Sequence, residues 1–404
     1  MKVVLVNHSD SLGGASVVTF RLMQALRRVG VDARMLVTSK ASDSFCVEVA
    51  APRWRARLPF LAEHLEIFAR NGFSRRDLFK ASIATVGLPL SRHPLVKEAD
   101  IVVLNWVNQG MLSLDEITRI AAVKPVVWTM HDMWNITGIC HHAGNCDRYL
   151  TQCYTCPLLN SCAGKRDLSQ RTFERKSKLY ARAGIHFVAV SSWLADCARR
   201  STLLADQHIE LIHNPFSIDE FKAESVMNRS ELGLPEQGRI VLMCAARIDD
   251  PVKGLSAAIE AFNALKSDNV IAVFVGDMRD PHALDGLRLP YHHLGPVYDS
   301  HRLRSIFAHS SVVLSSSSYE SFGATLIEGQ IAGATPVGFV HDGRADIITD
   351  GKTGYAANER RNLAESIDVA LQSPIDRSQL AAAARRYSYD TIARKYLNLF
   401  DSII

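Results

Sequence analysis

Residues Ser315–Gly333 read SSSSYESFGATLIEGQIAG, and the fold of the whole chain is read outward from them. An apolar run of strand type, Ser311 to Leu314 (SVVL), precedes the stretch and a second, Thr335 to Val340 (TPVGFV), follows it. The pattern predicts a β-α-β unit whose helix starts at about Phe322. The first turn of a helix has backbone N–H groups without intrahelical partners and lies at the positive end of the helix dipole. The amides of Gly323, Ala324 and Thr325 therefore form a cradle for an anion such as a phosphate. Glu328, further along the same helix, can accept two hydrogen bonds from vicinal hydroxyls such as those of a ribose, while Glu320 precedes the helix and can face a sugar. Together these residues describe a sugar-nucleotide site. A bare pair of glutamates at this spacing would not, because any acidic amphipathic helix can carry it.

Composition sets the frame. A chain of 404 residues with 47% hydrophobic and 22% charged residues is that of an ordinary globular protein of two or three domains. A net charge of +4 gives no case for nucleic acid as a partner. The apolar run Val3 to Val6 is too short for a signal peptide and no run approaches membrane-spanning length, so a cytoplasmic location is expected. Of the 8 cysteines, Cys140, Cys146, Cys153, Cys156 and Cys162 fall in one short segment. In a reducing compartment such a cluster favours a metal or plain structural thiols over a disulfide framework.

Strand, glycine loop and helix open the chain: Lys2 to Asn7 (KVVLVN), Gly13-Gly14, then a helical pattern from Ser16 to Val29. This is a nucleotide-fold opening without the G-x-G-x-x-G spacing of a dinucleotide site. Further strands are expected at Ala33 to Thr38, Ile101 to Leu104, Pro125 to Met130, His186 to Val190 and Ile209 to Ile212, and Pro215 ends this first sheet. A second sheet starts at Arg239 to Ala245 and continues at Ile271 to Gly276 and Tyr291 to Val297. Two doubly wound α/β domains follow, 1–214 and 215–404, with a Cys-rich insertion at 138–165 and a last helix expected to pack back on the first domain.

Between Arg53 and Lys80 basic residues alternate with Trp54, Phe60, Leu61, Leu65, Ile67 and Phe68. The segment reads either as an amphipathic surface for an anionic membrane or as a solvated helix covering the sheet. In the cysteine segment, Cys140, Cys146, Cys153 and Cys156 could close a tetrahedral zinc site, since Cys153-x-x-Cys156 has knuckle spacing; buried or redox thiols are the alternative.

Glu-Ser-Phe-Gly-Ala-Thr-Leu-Ile-Glu resembles the E-x7-E signature of retaining GT-B glycosyltransferases, in particular glycosyltransferase family four. The following Gly-Ala-Thr-Pro-Val also matches. His131-Asp132 and the run HDMWNITGIC are similar to a branch of that family containing colanic-acid and exopolysaccharide glycosyltransferases. The resemblance implies two facing Rossmann-like domains with the reaction in the cleft between them. It implies that Gly13 and Gly14 pass close to the donor, that His131 lies against the donor sugar, and that the loop carrying Val297 contacts the nucleobase. It places Phe322, Gly323, Ala324, Thr325 and Glu328 around the donor, with Glu320 orienting its sugar. Arg247 and Lys253 match the family's strand, Arg, loop, Lys-Gly, helix order and are expected to clamp the diphosphate, where fixed cations stabilise a departing anion without a metal cofactor. Asp342-Gly343-Arg344-Ala345-Asp346 departs from the family's more usual Gly-Gly-x-x-Glu. The implied activity is transfer of a hexosyl group from a nucleotide-diphosphate sugar to a cell-surface glycan or lipid-linked saccharide; the peripheral contact at the inner face of the membrane is the expectation from the Arg53 to Lys80 segment. The alternatives are another GT-B enzyme, a phosphorylase or a sugar-nucleotide epimerase, or a non-catalytic zinc-containing interaction protein on this fold.

Overall fold

A computed structural model describes residues 1–75, 77–160, 166–221, 226–358 and 361–404. The chain divides into two units, Met1–Pro215 with Tyr389–Ile404, and Phe216–Ser388. Among the described residues no helix is long and apolar enough to cross a membrane.

The first unit is a parallel sheet of seven strands: β1 (Lys2–Ser9), β2 (Asp32–Ser39), β3 (Val47–Val49), β4 (Ile101–Leu104), β5 (Val126–Met130), β6 (Ile185–Ala189) and β7 (Ile209–Leu211). Their order is β3-β2-β1-β4-β5-β6-β7. The central strands are continuous apolar runs because helices cover both faces of a parallel sheet, and all four residues of β4 are buried. The helix Tyr389–Ile403 belongs to this unit, where Tyr389, Ile392, Tyr396 and Phe400 join the core of Val3, Leu5, Met35 and Val103. Its Tyr396 hydroxyl lies 2.9 Å from Thr129 Oγ1 of β5.

The second unit is a parallel sheet of six strands: β8 (Arg239–Arg247), β9 (Val270–Asp277), β10 (Tyr291–His293), β11 (Ser310–Ser315), β12 (Thr335–Phe339) and β13 (Tyr355–Ala357). Their order is β10-β9-β8-β11-β12-β13. In each sheet the order reverses beside the unit's first strand, between β1 and β4 and between β8 and β11. Doubly wound sheets bind ligands outside the carboxyl ends of the strands at such a reversal, because the two crossovers leave in opposite directions and open a crevice. Ser9 and Leu104 end β1 and β4, and Arg247 and Ser315 end β8 and β11, so the loops singled out in the sequence leave from these two points.

The segment after β3 forms the helix Arg53–Arg70. Ile67 is 1% exposed and packs inward, and Phe60 and Phe68 are half-buried. The exposed apolar side chains are Trp54, Leu58, Leu61 and Leu65. A helix buries positions by its 3.6-residue period, which sorts the apolar residues of this segment between an inner and an outer face.

Candidate active site

Around the reversal in the second sheet, two loops are tied to each other before any ligand is considered. The loop after β8 runs through Pro251–Lys253 to Gly254, and the serine loop runs from Ser315 to Gly323. Ser316 Oγ donates to the Lys253 carbonyl at 2.9 Å and the Ser318 amide donates to the Val252 carbonyl at 2.9 Å. Gly254 makes this approach possible: its φ is +67°, and a Cβ there would sit 2.1 Å from the Ser316 carbonyl oxygen. Gly254→Ala is expected to lower the stability of this unit by about 1–3 kcal/mol, since both the backbone conformation and the contact oppose a side chain, and thermal unfolding measures it.

Lys253 and Glu320 meet in this frame, Nζ to Oε1 at 2.7 Å, with side chains 31% and 22% exposed. Ser317 Oγ donates to the same oxygen at 2.8 Å. The helix that follows spans Ala324–Ala332, two residues later than the pattern predicts, with Gly323 at its N-cap and φ +102°. A left-handed residue is needed to turn the chain into the helix, and glycine takes that conformation without steric penalty. Ala324 and Thr325 are partly exposed at the start of the helix, and Glu328 is buried one turn on. Burial, with a smaller contribution from the Glu328 charge and against the opposing charge of Lys253, pushes the Cys244 thiol of β8 up to about 12. Lys253 and Glu320 thus meet beyond the carboxyl ends of β8 and β11, and Glu328 lies on the helix that follows the serine loop.

Arg247 lies past a bulge in β8. Its Nη2 pairs with Asp250 Oδ2 at 3.0 Å, and its Nε faces Asp249 Oδ1 at 3.3 Å without hydrogen-bond geometry, leaving both atoms buried and unsatisfied. An anion entering here would compete with two carboxylates for the guanidinium. Val297 stands in the loop after β10, which is shorter than the expected run to 297. That loop is fixed to β9 by the Gly276 amide donating to the Gly295 carbonyl at 2.9 Å and by His293 Nε2, 2.8 Å from the Gly276 carbonyl oxygen. The Phe322 side chain is 4% exposed and packs against Tyr387 and Phe216, at 5.6 and 6.4 Å between ring centroids. Its side chain is therefore a packing residue that anchors the loop.

Asp342 and Arg344 are the residues of this site that sequence reasoning did not single out. Arg344 is fully buried, and its Nε and Nη2 donate to Asp342 Oδ1 and Oδ2 at 2.9 and 2.7 Å. Its Nη1 donates to the carbonyls of Ser315 and Ser317 at 3.1 and 2.7 Å. Asp342 Oδ2 also accepts the Glu320 amide at 2.8 Å. This buried pair is the brace of the serine loop and sets where Glu320 stands. The only signal in the sequence was the departure of 342–346 from the family pattern.

The remaining expected residues belong to the first unit and are described there. Gly13, with φ +87°, caps the helix Gly14–Arg28, and a Cβ on Gly13 or Gly14 would meet nothing within 4 Å. His131 follows β5, and its Nε2 lies 2.9 Å from Asn105 Oδ1. The Asn105 amide nitrogen donates to the Val103 carbonyl, so Oδ1 accepts from His131 Nε2–H and Nδ1 keeps the lone pair. Burial lowers the His131 pKa to about 4, which makes the ring neutral near pH 7. Asp132 accepts from Trp106 Nε1 at 2.9 Å, the Trp134 amide at 2.8 Å and His141 Nδ1 at 2.7 Å. Burial alone would raise its pKa; the His141 charge and these hydrogen bonds outweigh it and hold the carboxyl low.

His141 follows Cys140 in the cysteine segment, whose order rests on long-range packing. Ile139 and Leu159 cluster with Ile67, Ala81, Ile83 and Leu168, with Cys156 against them. Lys176, fully buried, donates to the carbonyls of Trp134 and Thr137. Burial, the largest cause in each case, raises the thiols of Cys140, Cys153 and Cys156, the last two to about 11 and about 12, and Cys146 is partly buried. Among the described residues, however, no three His, Cys, Asp or Glu side chains form a group able to hold a metal ion. Cys153 Sγ instead accepts the Gly138 amide at 3.2 Å. The residues present do not fit the expected zinc, and the ordering assigned to a metal comes from the apolar cluster and Lys176. Cys162 lies outside the described residues.

Two parallel Rossmann-like sheets, each with its reversal beside the first strand, define the GT-B architecture. The model for Glycosyltransferase Family 4 matches residues 12–220 and that for Glycosyl transferases group 1 matches residues 227–387. The chain belongs to Glycosyltransferase Family 4. It is 25% identical over 228 residues to the phosphatidyl-myo-inositol mannosyltransferase of Mycobacterium tuberculosis, a match covering 52% of this chain and 58% of that protein. The chain thus spans little more than half the length of that relative. A colanic acid biosynthesis glycosyl transferase of Escherichia coli K12, WcaC, is 27% identical over 139 residues, 32% of each chain. Anabaena Alr3699/HepE, solved with UDP and glucose, shares the fold with a TM-score of 0.63 at 17% identity over 100% of both chains.

Proposed function

We propose that the chain is a retaining glycosyltransferase that moves a hexosyl group from a nucleotide-diphosphate sugar to a cell-surface glycan or a lipid-linked saccharide. The observation that carries this reading is the pairing of Lys253 with Glu320 at the β8/β11 reversal, just before the start of the helix that carries Glu328. Relatives named for mannosyl transfer to phosphatidyl-myo-inositol and for colanic acid synthesis support it. In the proposed reaction the bond between the sugar anomeric carbon and the diphosphate breaks, and an acceptor hydroxyl bonds to the same face of that carbon. The hydroxyl proton passes to a departing phosphate oxygen.

Each side chain has a part in this scheme. The amides of Gly323, Ala324 and Thr325 hold the phosphate at the helix start. Arg247 and Lys253 neutralise the charge that grows on the leaving diphosphate, so no metal cofactor is invoked. Lys253 exchanges its bond to Glu320 for a phosphate oxygen, which frees Glu320 to orient the sugar hydroxyls. Glu328 accepts from the ribose, the loop at Val297 meets the nucleobase, and Gly13, Gly14 and neutral His131 serve the sugar. A lipid-linked acceptor would hold the reaction at the cytoplasmic face of a membrane, where a water-soluble donor and a lipid can meet.

Glu328→Ala is expected to raise the donor KM about tenfold or more with turnover on saturating donor little changed, because ribose bonds are equal in ground and transition states. Steady-state kinetics on the donor found in a sugar-nucleotide panel measure this split. A fall in turnover at unchanged KM would remove Glu328 from the ribose.

A further inference from the structure

One face of the helix Arg53–Arg70 holds it in the fold, and the other carries an apolar stripe. Its inner face buries Glu63, His64 and Ile67. Trp54, Leu58, Leu61 and Leu65 are spaced by four, three and four residues and lie on the opposite side, 62%, 58%, 55% and 66% exposed. At 3.6 residues per turn these positions fall within about 60° of arc and form a stripe about 16 Å long. Packing does not explain them, since they face away from the core.

The charge around the stripe is of one sign. Arg53, Arg55 and Arg57 are exposed beside its first turns, and Arg70, Arg75 and Lys80 are exposed beyond its end. The carboxylates of the segment are withdrawn. Glu63 is buried and accepts the Ile83 and Ala84 amides at 2.7 and 2.8 Å, Glu66 pairs with Arg70 at 3.0 Å, and Asp77 pairs with Lys80 at 2.9 Å. Arg70 and Lys80 are offset by these pairs, and among the described residues of 53–80 no exposed carboxylate offsets Arg53, Arg55 or Arg57. A second protein would have to supply a matching apolar groove with an acidic rim. An anionic bilayer supplies both features everywhere on its surface: acyl chains below and phosphate charge at the level of the arginines.

We infer that the outer face of this helix is a membrane-docking surface, Trp54, Leu58, Leu61 and Leu65 entering the headgroup boundary of an anionic bilayer and Arg53, Arg55 and Arg57 pairing with its phosphates. This locates the membrane contact of the reading above and rests on that reading only for the acceptor being lipid-linked. The surface needs neither donor nor acceptor to bind lipid.

The test is flotation of the full chain with vesicles of phosphatidylcholine alone and of phosphatidylcholine with phosphatidylglycerol. Wild-type protein should float with the anionic vesicles only, and raised salt should weaken it because these charges are exposed. Leu61→Glu with Leu65→Glu should abolish flotation, and Arg53→Gln, Arg55→Gln and Arg57→Gln together should weaken it about a hundredfold. Trp54 emission should shift to the blue on binding, a change lost in Trp54→Phe. All positions are exposed, so circular dichroism and nucleotide-sugar binding should match wild type. No flotation, equal flotation with neutral vesicles, or flotation kept by the glutamate variant would overturn the inference. So would a dimer abolished by the glutamate variant in a protein that binds no vesicles, which would give the face to a second copy. Vesicle binding by a protein that binds no sugar nucleotide would leave this inference standing and remove the transferase reading instead.

Discussion

Arg344→Met should lower the stability of the second unit by about 3–5 kcal/mol, because it leaves Asp342 as a buried charge without its partner. The guanidinium is fully buried and makes hydrogen bonds to Asp342 and to two carbonyls of the serine loop, so no water is at hand to replace it. In thermal unfolding this corresponds to a fall of roughly 6–20 °C for a unit of this size. Asp342→Asn combined with Arg344→Met should recover part of the loss, since the stranded charge is then gone. Donor binding should weaken in the single variant even where it stays folded, because Asp342 holds the Glu320 amide and Arg344 holds the loop beneath it. A Tm within about 2 °C of wild type would show that the pair is not the brace described.

Turnover should fall about thirtyfold to a thousandfold in Arg247→Ala, equivalent to about 2–4 kcal/mol, the range seen when a fixed donor to a transition-state charge is removed. The effect should fall on kcat, because the leaving diphosphate carries more charge in the transition state than in the bound donor. Arg247→Lys should rescue only in part: one ammonium cannot serve the diphosphate with the planar fork that now faces Asp249 and Asp250. The side chain is 29% exposed, so its removal should leave folding nearly unchanged, and equal thermal unfolding is the control. Wild-type kcat in a folded Arg247→Ala would take this residue out of the reaction.

Much of this architecture was legible in the chain because buried parallel strands are continuous apolar runs that stand out from their surroundings. Ile101–Leu104 was read at its observed limits. Strands β3 (Val47–Val49) and β13 (Tyr355–Ala357) were not read, since three residues at a sheet edge carry no periodic signal. Strand β8 reaches Arg247, two residues beyond the apolar run, through a bulge that only strand pairing reveals. Strand β10 stops at His293 because Gly295 adopts φ +67° and Pro296 has no N–H for a ladder.

Within the site, the helix start and its glutamates were legible from spacing, while their support was not. Arg344 looks like a surface residue in a turn, and its burial depends on Ser315 and Ser317, far behind it in sequence. Phe322 has the same character, since its packing against Phe216 and Tyr387 is tertiary. The cysteine segment misled by its polarity: the apolar partners that order it, Ile67 and Ile83, lie well outside the segment.

Titration of the purified chain with a panel of nucleotide-diphosphate sugars, followed by calorimetry and by release of free nucleotide, tests the donor site most directly when wild type and Lys253→Ala are run side by side. The account predicts that the wild type binds at least one donor and slowly releases its nucleotide. It also predicts that Lys253→Ala binds that donor at least tenfold more weakly, because Glu320 loses its partner and the phosphate its cation. No binding of any sugar nucleotide by folded wild-type protein, or equal binding by Lys253→Ala, would contradict it.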